Sequence, residues 1–318
     1  MVRIFCLLLL GVSLNSVAAP TKLHSFAVAL DWYVNPDHAP ILVAKQQGYF
    51  KKYGLKVYLI APPTISEPEQ LVAANKVDVA ITYQAHLLLN VQAGMPLVRF
   101  ASLINKPTDC IAVLRNSGIT KLSQLKGKTL GNSGSGLAHS IVSTMLEHNG
   151  LRSDQVKMVD VKMNLVQALL TRRVTAISGL SRNVEPLELA SMGFKTNLFY
   201  SEDNGVPPYD ELILVANKNN YRKHKAEFIA FDKAMRAGYK YLIAHPNKAW
   251  REVSATYKDY LAPTRKMANI NHLIWLASLR YFDPHPTYLN KVKYKNFAKF
   301  MQKKGLLHKP IPLSDYAV

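Results

Sequence analysis

Ala29-Leu30-Asp31-Trp32-Tyr33-Val34-Asn35-Pro36-Asp37-His38-Ala39-Pro40 is the stretch from which the rest of the chain is read. The apolar run from Phe26 to Trp32 has the composition of a strand. It stops at Asn35-Pro36, because proline offers no amide to a ladder and pushes the preceding residue out of the helical region. From Ile41 to Gln47 the spacing turns helical. A strand that passes straight into a helix leaves the intervening loop at the strand's carboxyl end, where open α/β sheets hold their ligands. This loop carries Trp32, Tyr33, Asn35, Asp37 and His38. Two flat aromatic faces beside short polar groups suit a planar ligand that forms hydrogen bonds. The same rings also suit an ordinary strand-end core, and the loop alone leaves both readings open.

Outward from that loop, strands and helices keep alternating. A helix ends near Tyr53-Gly54, a strand follows over Leu55 to Ile60, and Pro62-Pro63 makes a turn. Ser66-x-x-Glu69 before Leu71-Val72 has the capping-box pattern, which predicts a helix from Glu67 to about Asn75. The strand Val77 to Thr82 runs into Tyr83-Gln84, a second strand-to-helix junction, and Leu87 to Ala93 continue as helix. Leu97 to Leu103 and Cys110 to Arg115 read as two more strands. Then the order starts again, with a strand over Lys128 to Leu130, the glycine-rich loop Gly131-Asn132-Ser133-Gly134-Ser135-Gly136, and a helix from about Leu137 to Asn149. Strands over Val156 to Val161, Val174 to Ser178, Phe194 to Tyr200 and Glu211 to Ala216 follow, and from Tyr221 onward the pattern is mostly helical. Such alternation predicts the α/β class, each unit a mainly parallel sheet flanked by helices. No Ser/Gly linker separates the units, so strand crossovers join them.

With 318 residues, 48% hydrophobic and 19% charged, the chain is neither disordered nor fibrous and has room for two lobes. Residues 1–18 read as a secretory signal peptide: Arg3, the apolar run Ile4 to Leu10, then Ser16-Val17-Ala18-Ala19. Cleavage is expected after Ala18, since Pro20 directly after the cut is unfavourable. No later window is long and apolar enough to span a bilayer, so a periplasmic protein without stable membrane insertion is expected. Cys6 leaves with the signal and Cys110 stands alone in Cys110-Ile111-Ala112-Val113-Leu114. That excludes an internal disulfide and a zinc-ribbon type of site, and predicts a small buried hydrophobe. No metal or cofactor is expected. The net charge of +19, or +18 once Arg3 leaves, invites nucleic acid as a partner. The lysines are dispersed, however, except where Lys291, Lys293, Lys295, Lys299, Lys303 and Lys304 alternate with Tyr294, Phe297, Phe300 and Met301. That spacing describes an amphipathic helix with a solvated basic face, so no nucleic-acid partner is expected.

Four stretches carry a specific resemblance: Leu30 to Ala39; Ala44 through Gly48-Tyr49-Phe50-Lys51-Lys52-Tyr53-Gly54-Leu55; Leu71-Val72-Ala73-Ala74-Asn75-Lys76-Val77-Asp78; and Gly205-Val206-Pro207-Pro208-Tyr209-Asp210-Glu211-Leu212. In them the chain resembles the periplasmic substrate-binding proteins of ABC importers, and within these the NMT1/THI5-like group that binds thiamine-pyrimidine precursors. The resemblance implies the type II two-lobed fold, with residues 19–109 and 212–318 as one lobe and 110–211 as the other. It implies a monomer that closes on formylaminopyrimidine or hydroxymethylpyrimidine and delivers it to an ABC permease and its ATPase. Trp32 and Tyr83 are the candidates to face the flat ring, and Asn35 to pair with a ring edge. Glu185 would accept hydrogen bonds from the amino group, unless it forms a surface salt bridge with Arg182. Tyr209 and Asp210 would close the opposite side, Asp210 being equally suited to cap a turn. In the glycine-rich loop, Ser133 and Gly134 would hold a carbonyl oxygen or an anion on backbone amides. The loop departs from the group's pattern, Asn132 standing where an aromatic is usual, which leaves the exact ligand open. Sulfonate, taurine or nitrate is the alternative, and a sensory accessory using the same closure is another.

Eukaryotic members of the same family look like pyrimidine phosphate synthases that use pyridoxal phosphate, iron and their own histidine. Thr82 stands where such a synthase has its Schiff-base lysine, and Pro207-Pro208-Tyr209-Asp210 stands near its cysteine run. His86, near the synthase histidine, is read as a packed or pocket-edge residue. The chain has no His-Glu-x-x-His, no Gly-x-Ser-x-Gly elbow and no Gly-x-Gly-x-x-Gly, so no enzyme is expected.

Overall fold

The structure is a computed structural model and describes residues 22–61, 67–132, 136–162 and 164–318. The expected signal peptide, the Pro62-Pro63 turn, Ser66, Ser133 and Gly134 lie outside them. Ten strands form two five-stranded sheets among the described residues. The first contains β1 (His24–Ala29), β2 (Leu55–Ile60), β3 (Val79–Thr82), β4 (Leu97–Ile104) and β10 (Leu212–Asn217), in the order β2-β1-β3-β10-β4. The second contains β5 (Asp109–Leu114), β6 (Thr129–Asn132), β7 (Lys157–Asp160), β8 (Ala176–Ser181) and β9 (Thr196–Tyr200), in the order β7-β6-β8-β5-β9. In each sheet one strand opposes the other four: β10 is antiparallel to β3 and β4, and β5 to β8 and β9.

Chain crossing dictates those two reversals. The carboxyl ends of the like-directed strands face the space between the lobes. A chain that leaves β4 or β9 at that edge enters the other sheet from its cleft side and must run away from it. β5 and β10, the first strands after each crossing, are therefore the reversed ones. Both are also central enough to be buried along almost their whole length.

The edge strand β4 is buried at all eight positions because the C-terminal segment covers it. Ser102 N donates to Pro286 O at 2.7 Å, and Arg99 N to Tyr316 O at 2.8 Å. Covering an exposed ladder in this way removes a template for unwanted pairing. The helix after the opening loop, Ala39–Gln46, is clamped by the long helix Lys225–Ala244. A Cβ at Gly238 would stand 2.4 Å from the Pro40 carbonyl, so only glycine permits this approach and the loop before Pro40 is held by backbone packing.

Two expectations change. Glu69 is not only a local capping candidate: its expected partner Ser66 lies outside the described residues, while Glu69 itself, in the helix Glu67–Ala73, is 3% exposed, accepts a hydrogen bond from the Thr82 hydroxyl, and lies 3.5 Å from His86 Nδ1. The C-terminal helix Lys291–Lys303 is not basic on a purely solvated face either. Its Tyr294, Phe297 and Met301 are buried, and Lys293 turns in to pair with Asp210. This helix lies behind the crossings, with Phe297 against Tyr209 at 4.7 Å, while Lys304, just past its end, reaches Glu147 at 2.7 Å. Cys110 is buried, as its apolar run predicts, and burial pushes its thiol well up.

Candidate functional site

Between the sheets lie two adjoining chambers. The front one, about 330 Å³, is lined by Asp31, Trp32, Asn35, Asp37, Tyr83, Glu185, Glu188 and Glu211 among others. The rear one, about 360 Å³, includes His86, Asp109, Ile141, Leu180, Tyr209 and Phe297. Tyr83, Ser181 and Glu211 line both, so they form the partition.

The partition is fixed from the opening loop. Tyr83, at the end of β3, donates its hydroxyl to Asp31 Oδ2 at 2.9 Å, and His38 Nε2 lies 2.8 Å from Asp31 Oδ1. The Asn35 amide donates to His38 Nδ1 at 3.4 Å, which assigns the ring proton to Nε2 and makes His38 the donor to Asp31. Burial pushes the Asp31 carboxyl up, but the hydrogen bonds from His38 and Tyr83 outweigh it and hold it below its ordinary value. Asp31 thereby stays ionised and orients the Tyr83 ring. Trp32 lines the same front chamber.

Asn35 faces the chamber, yet its side chain is engaged locally. Its Oδ1 accepts from Asp37 N at 2.8 Å, capping the short turn Pro36–His38, and its Nδ2 donates to Tyr33 O at 3.0 Å. Asp37 is one point where the lobes meet. Its Oδ1 accepts from Asn183 Nδ2 at 2.8 Å, across the cleft, and from the Ser278 hydroxyl at 2.6 Å.

Glu185 begins the helix Glu185–Ser191 after β8 and accepts only the Ser181 amide, at 2.9 Å, among the described side-chain contacts. Arg182 does not pair with it. Instead its guanidinium forks onto Glu202 at 2.8 and 2.6 Å and lies over the Tyr200 ring. Burial without a cation pushes the Glu185 carboxyl up to about 7. Burial also raises Asp37 and Glu188, and it raises Glu211 to about 8 with help from the Asp109 charge. Lysine, arginine and histidine are absent from the described front lining.

Thus the fold brings Trp32, Asn35, Tyr83 and Glu185 to the front chamber and Tyr209 to the rear one. Asp210 is on neither. It is 2% exposed and points to the back of the crossings, where it accepts from Ser102 and Tyr294 and pairs with Lys293. The proposed ligand contact at Asp210 gives way to a packed ion pair. Ser133 and Gly134 are outside the described residues. Sequence reading did not single out Asp31, Glu188, Glu211 or Asp109 as lining. Asp31 and Glu211 each stood inside a quoted motif, whereas Glu188 and Asp109 carried no signal of their own.

Among the described residues, no helix is long and apolar enough to cross a membrane. Comparison with known proteins supplies the lineage. A Haemophilus influenzae protein named for thiamine biosynthesis is 42% identical over 292 residues, 92% of this chain and 91% of its own. The formylaminopyrimidine-binding protein of Halalkalibacterium halodurans is 31% identical over 74% of this chain and 71% of its own. A 4-amino-5-hydroxymethyl-2-methylpyrimidine phosphate synthase of Uromyces fabae is 29% identical over 71% and 69%. Among solved structures, the periplasmic aliphatic sulphonate binding protein of Escherichia coli superposes with a TM-score of 0.72, at 14% identity, covering 92% of this chain and 91% of that one. That likeness shows the two-lobed periplasmic-binding-protein fold. The NMT1/THI5-like profile matches residues 35–249, and the chain belongs to the NMT1/THI5-like family.

Proposed function

We propose that this is an exported solute-binding protein that captures a thiamine pyrimidine precursor, formylaminopyrimidine or hydroxymethylpyrimidine, and delivers it to an ABC permease. The observation that carries the reading is the charge of the front chamber. A chain of net charge +19 gathers five carboxyl groups, Asp31, Asp37, Glu185, Glu188 and Glu211, around a cavity with no cationic side chain in its described lining. An anion such as a sulfonate or nitrate would be desolvated against carboxylates, at several kcal/mol. An aminopyrimidine offers what the lining lacks: amino hydrogens and a basic ring nitrogen, which make charge-assisted bonds to Glu185. Its flat face suits Trp32 and the fixed Tyr83 ring, stacking that contributes about 0.5–1.5 kcal/mol beyond area burial.

Capture works by hinge closure. The ligand settles against Trp32 and Tyr83, and the helix of Glu185 closes over it. The bond from Asn183 to Asp37 and Ser278 ties the lobes beside the ligand. The closed shape is then what the permease recognises. A synthase reading has less support, because the Thr82 hydroxyl, at the Schiff-base position, is occupied by Glu69.

Calorimetric titration of the mature protein, freed of carried-over ligand by unfolding and refolding, tests the reading. Formylaminopyrimidine or hydroxymethylpyrimidine is expected to bind and taurine to be silent. Glu185→Gln should weaken pyrimidine binding at least tenfold, about 1.4 kcal/mol. Taurine binding without pyrimidine binding would replace this reading with the sulfonate one.

A further inference from the structure

We propose that the rear chamber, with the Asp109 and Glu211 carboxyls at its hinge end, receives a cationic aromatic ring joined to the pyrimidine, so that the protein also takes the two-ring compound. The inference rests on the pyrimidine reading and extends it.

Space comes first. The rear chamber, about 360 Å³, is no smaller than the front one, and the two meet along Tyr83, Ser181 and Glu211. Either volume falls within the ordinary range for a small-molecule site. A lone pyrimidine seated between Trp32 and Tyr83 leaves the rear chamber to water, although Ile141, Leu180 and Phe297 make much of its wall apolar.

Chemistry then specifies the occupant. Asp109 opens β5 and Glu211 immediately precedes β10, so the two crossings place both carboxyls on the rear wall. Asp109 accepts the Tyr209 hydroxyl at 2.8 Å, and Glu211 accepts the Thr108 amide at 2.6 Å. Neither forms an ion pair among the described residues. Arg182 is the neighbouring cation, but its guanidinium is held by Glu202 and gives its remaining bonds to the main-chain carbonyls of Thr108 and Asp109. Lys162 shares the rear lining without pairing to either carboxyl. Burial pushes both carboxyls up, Glu211 to about 8 with help from the Asp109 charge, and a ligand cation relieves that cost. The rings of Tyr83 and Tyr209 offer further faces to a flat cation, which favours an aromatic cation over a compact metal ion or a flexible polyamine.

The test compares hydroxymethylpyrimidine with thiamine, which joins the same pyrimidine to a permanently charged thiazolium ring, by calorimetry on the mature protein. Thiamine should bind at least tenfold more tightly, at one site per chain, and compete with the pyrimidine. Asp109→Asn should remove most of that advantage. Ile141→Trp, which fills the rear chamber without touching the front, should remove it while pyrimidine affinity stays within threefold. If the pyrimidine binds and thiamine binds no more tightly, the rear-chamber proposal falls and the pyrimidine reading stands. An advantage that survives both substitutions also overturns the proposal. If neither compound binds and formylaminopyrimidine is silent too, both readings fall; if formylaminopyrimidine alone binds, only the rear-chamber proposal falls. The wild-type comparison decides even where one variant does not fold.

Discussion

Two acidic residues that sequence reading treated alike, Glu185 in front of the crossings and Asp210 behind them, have opposite surroundings. Asp210 is enclosed by Lys293, Tyr294 and Ser102, and its backbone amide is held by Gln84 at 2.8 Å. Glu185 has backbone amides alone, that of Ser181 at 2.9 Å and its own, and no cation. The contrast separates two uses of a buried carboxyl. One surrounded by donors holds the fold together, and one left short of donors is kept for a ligand that brings them.

The sharpest way to break this comparison is Asp210→Ala. It leaves the half-buried Lys293 ammonium with only the Asn105 carbonyl, beside two hydroxyls without their acceptor, and should cost about 3 kcal/mol of stability, read as a drop in denaturation midpoint. At a temperature where the variant remains folded, pyrimidine affinity should be unchanged. Normal stability with lost binding would reverse the roles of the two residues.

Glu185 sharpens the other side through pH. Its folded-state value of about 7 exceeds the ordinary 4.5, so between these values the folded chain binds more protons than the unfolded one. Stability therefore falls as pH rises through that window and is level above it. Glu185→Gln should remove this part of the slope. Relative to wild type, the variant should gain on the order of 1–3 kcal/mol at pH 8 and little at pH 4. Parallel pH profiles for the two proteins would show that Glu185 already has a partner.

Tyr83→Phe deletes the hydroxyl that fixes the partition but leaves Asp31 its His38 bond. A loss of about 1 kcal/mol in pyrimidine binding is expected, since a single hydrogen bond of this kind contributes roughly that much. An unchanged affinity would mean that the ring needs no fixing. Lys304→Ala removes a contact between the C-terminal segment and Glu147, whose side chain is 53% exposed. It should change the midpoint by less than about 1 kcal/mol, because exposed pairs are solvated in either state.

Much of the architecture was legible in local pattern. The junctions at Asn35-Pro36 and Tyr83-Gln84 placed Trp32 and Tyr83 at strand ends, because a strand-to-helix passage fixes where its loop must lie. Glu69 shows where that legibility stops. Its spacing announces a cap, but not Thr82 and His86, which β3 and the following helix bring up to its carboxylate. Asp210 failed for the same reason: its motif does not say which side of a crossing it faces, and Lys293 and Tyr294 lie more than eighty residues away. The reversal of β5 and β10 was equally invisible locally, since strand direction is set by where the chain re-enters a sheet.

By itself, then, the sequence determined the α/β alternation, the family motifs and the aromatic loop at the head of the cleft, all of which depend on neighbours in the chain. Only the tertiary structure decided that a strongly basic protein has an acidic cavity. Asp31, Asp37, Glu185, Glu188 and Glu211 come from distant segments, and their mutual field exists only once the two crossings bring those segments together.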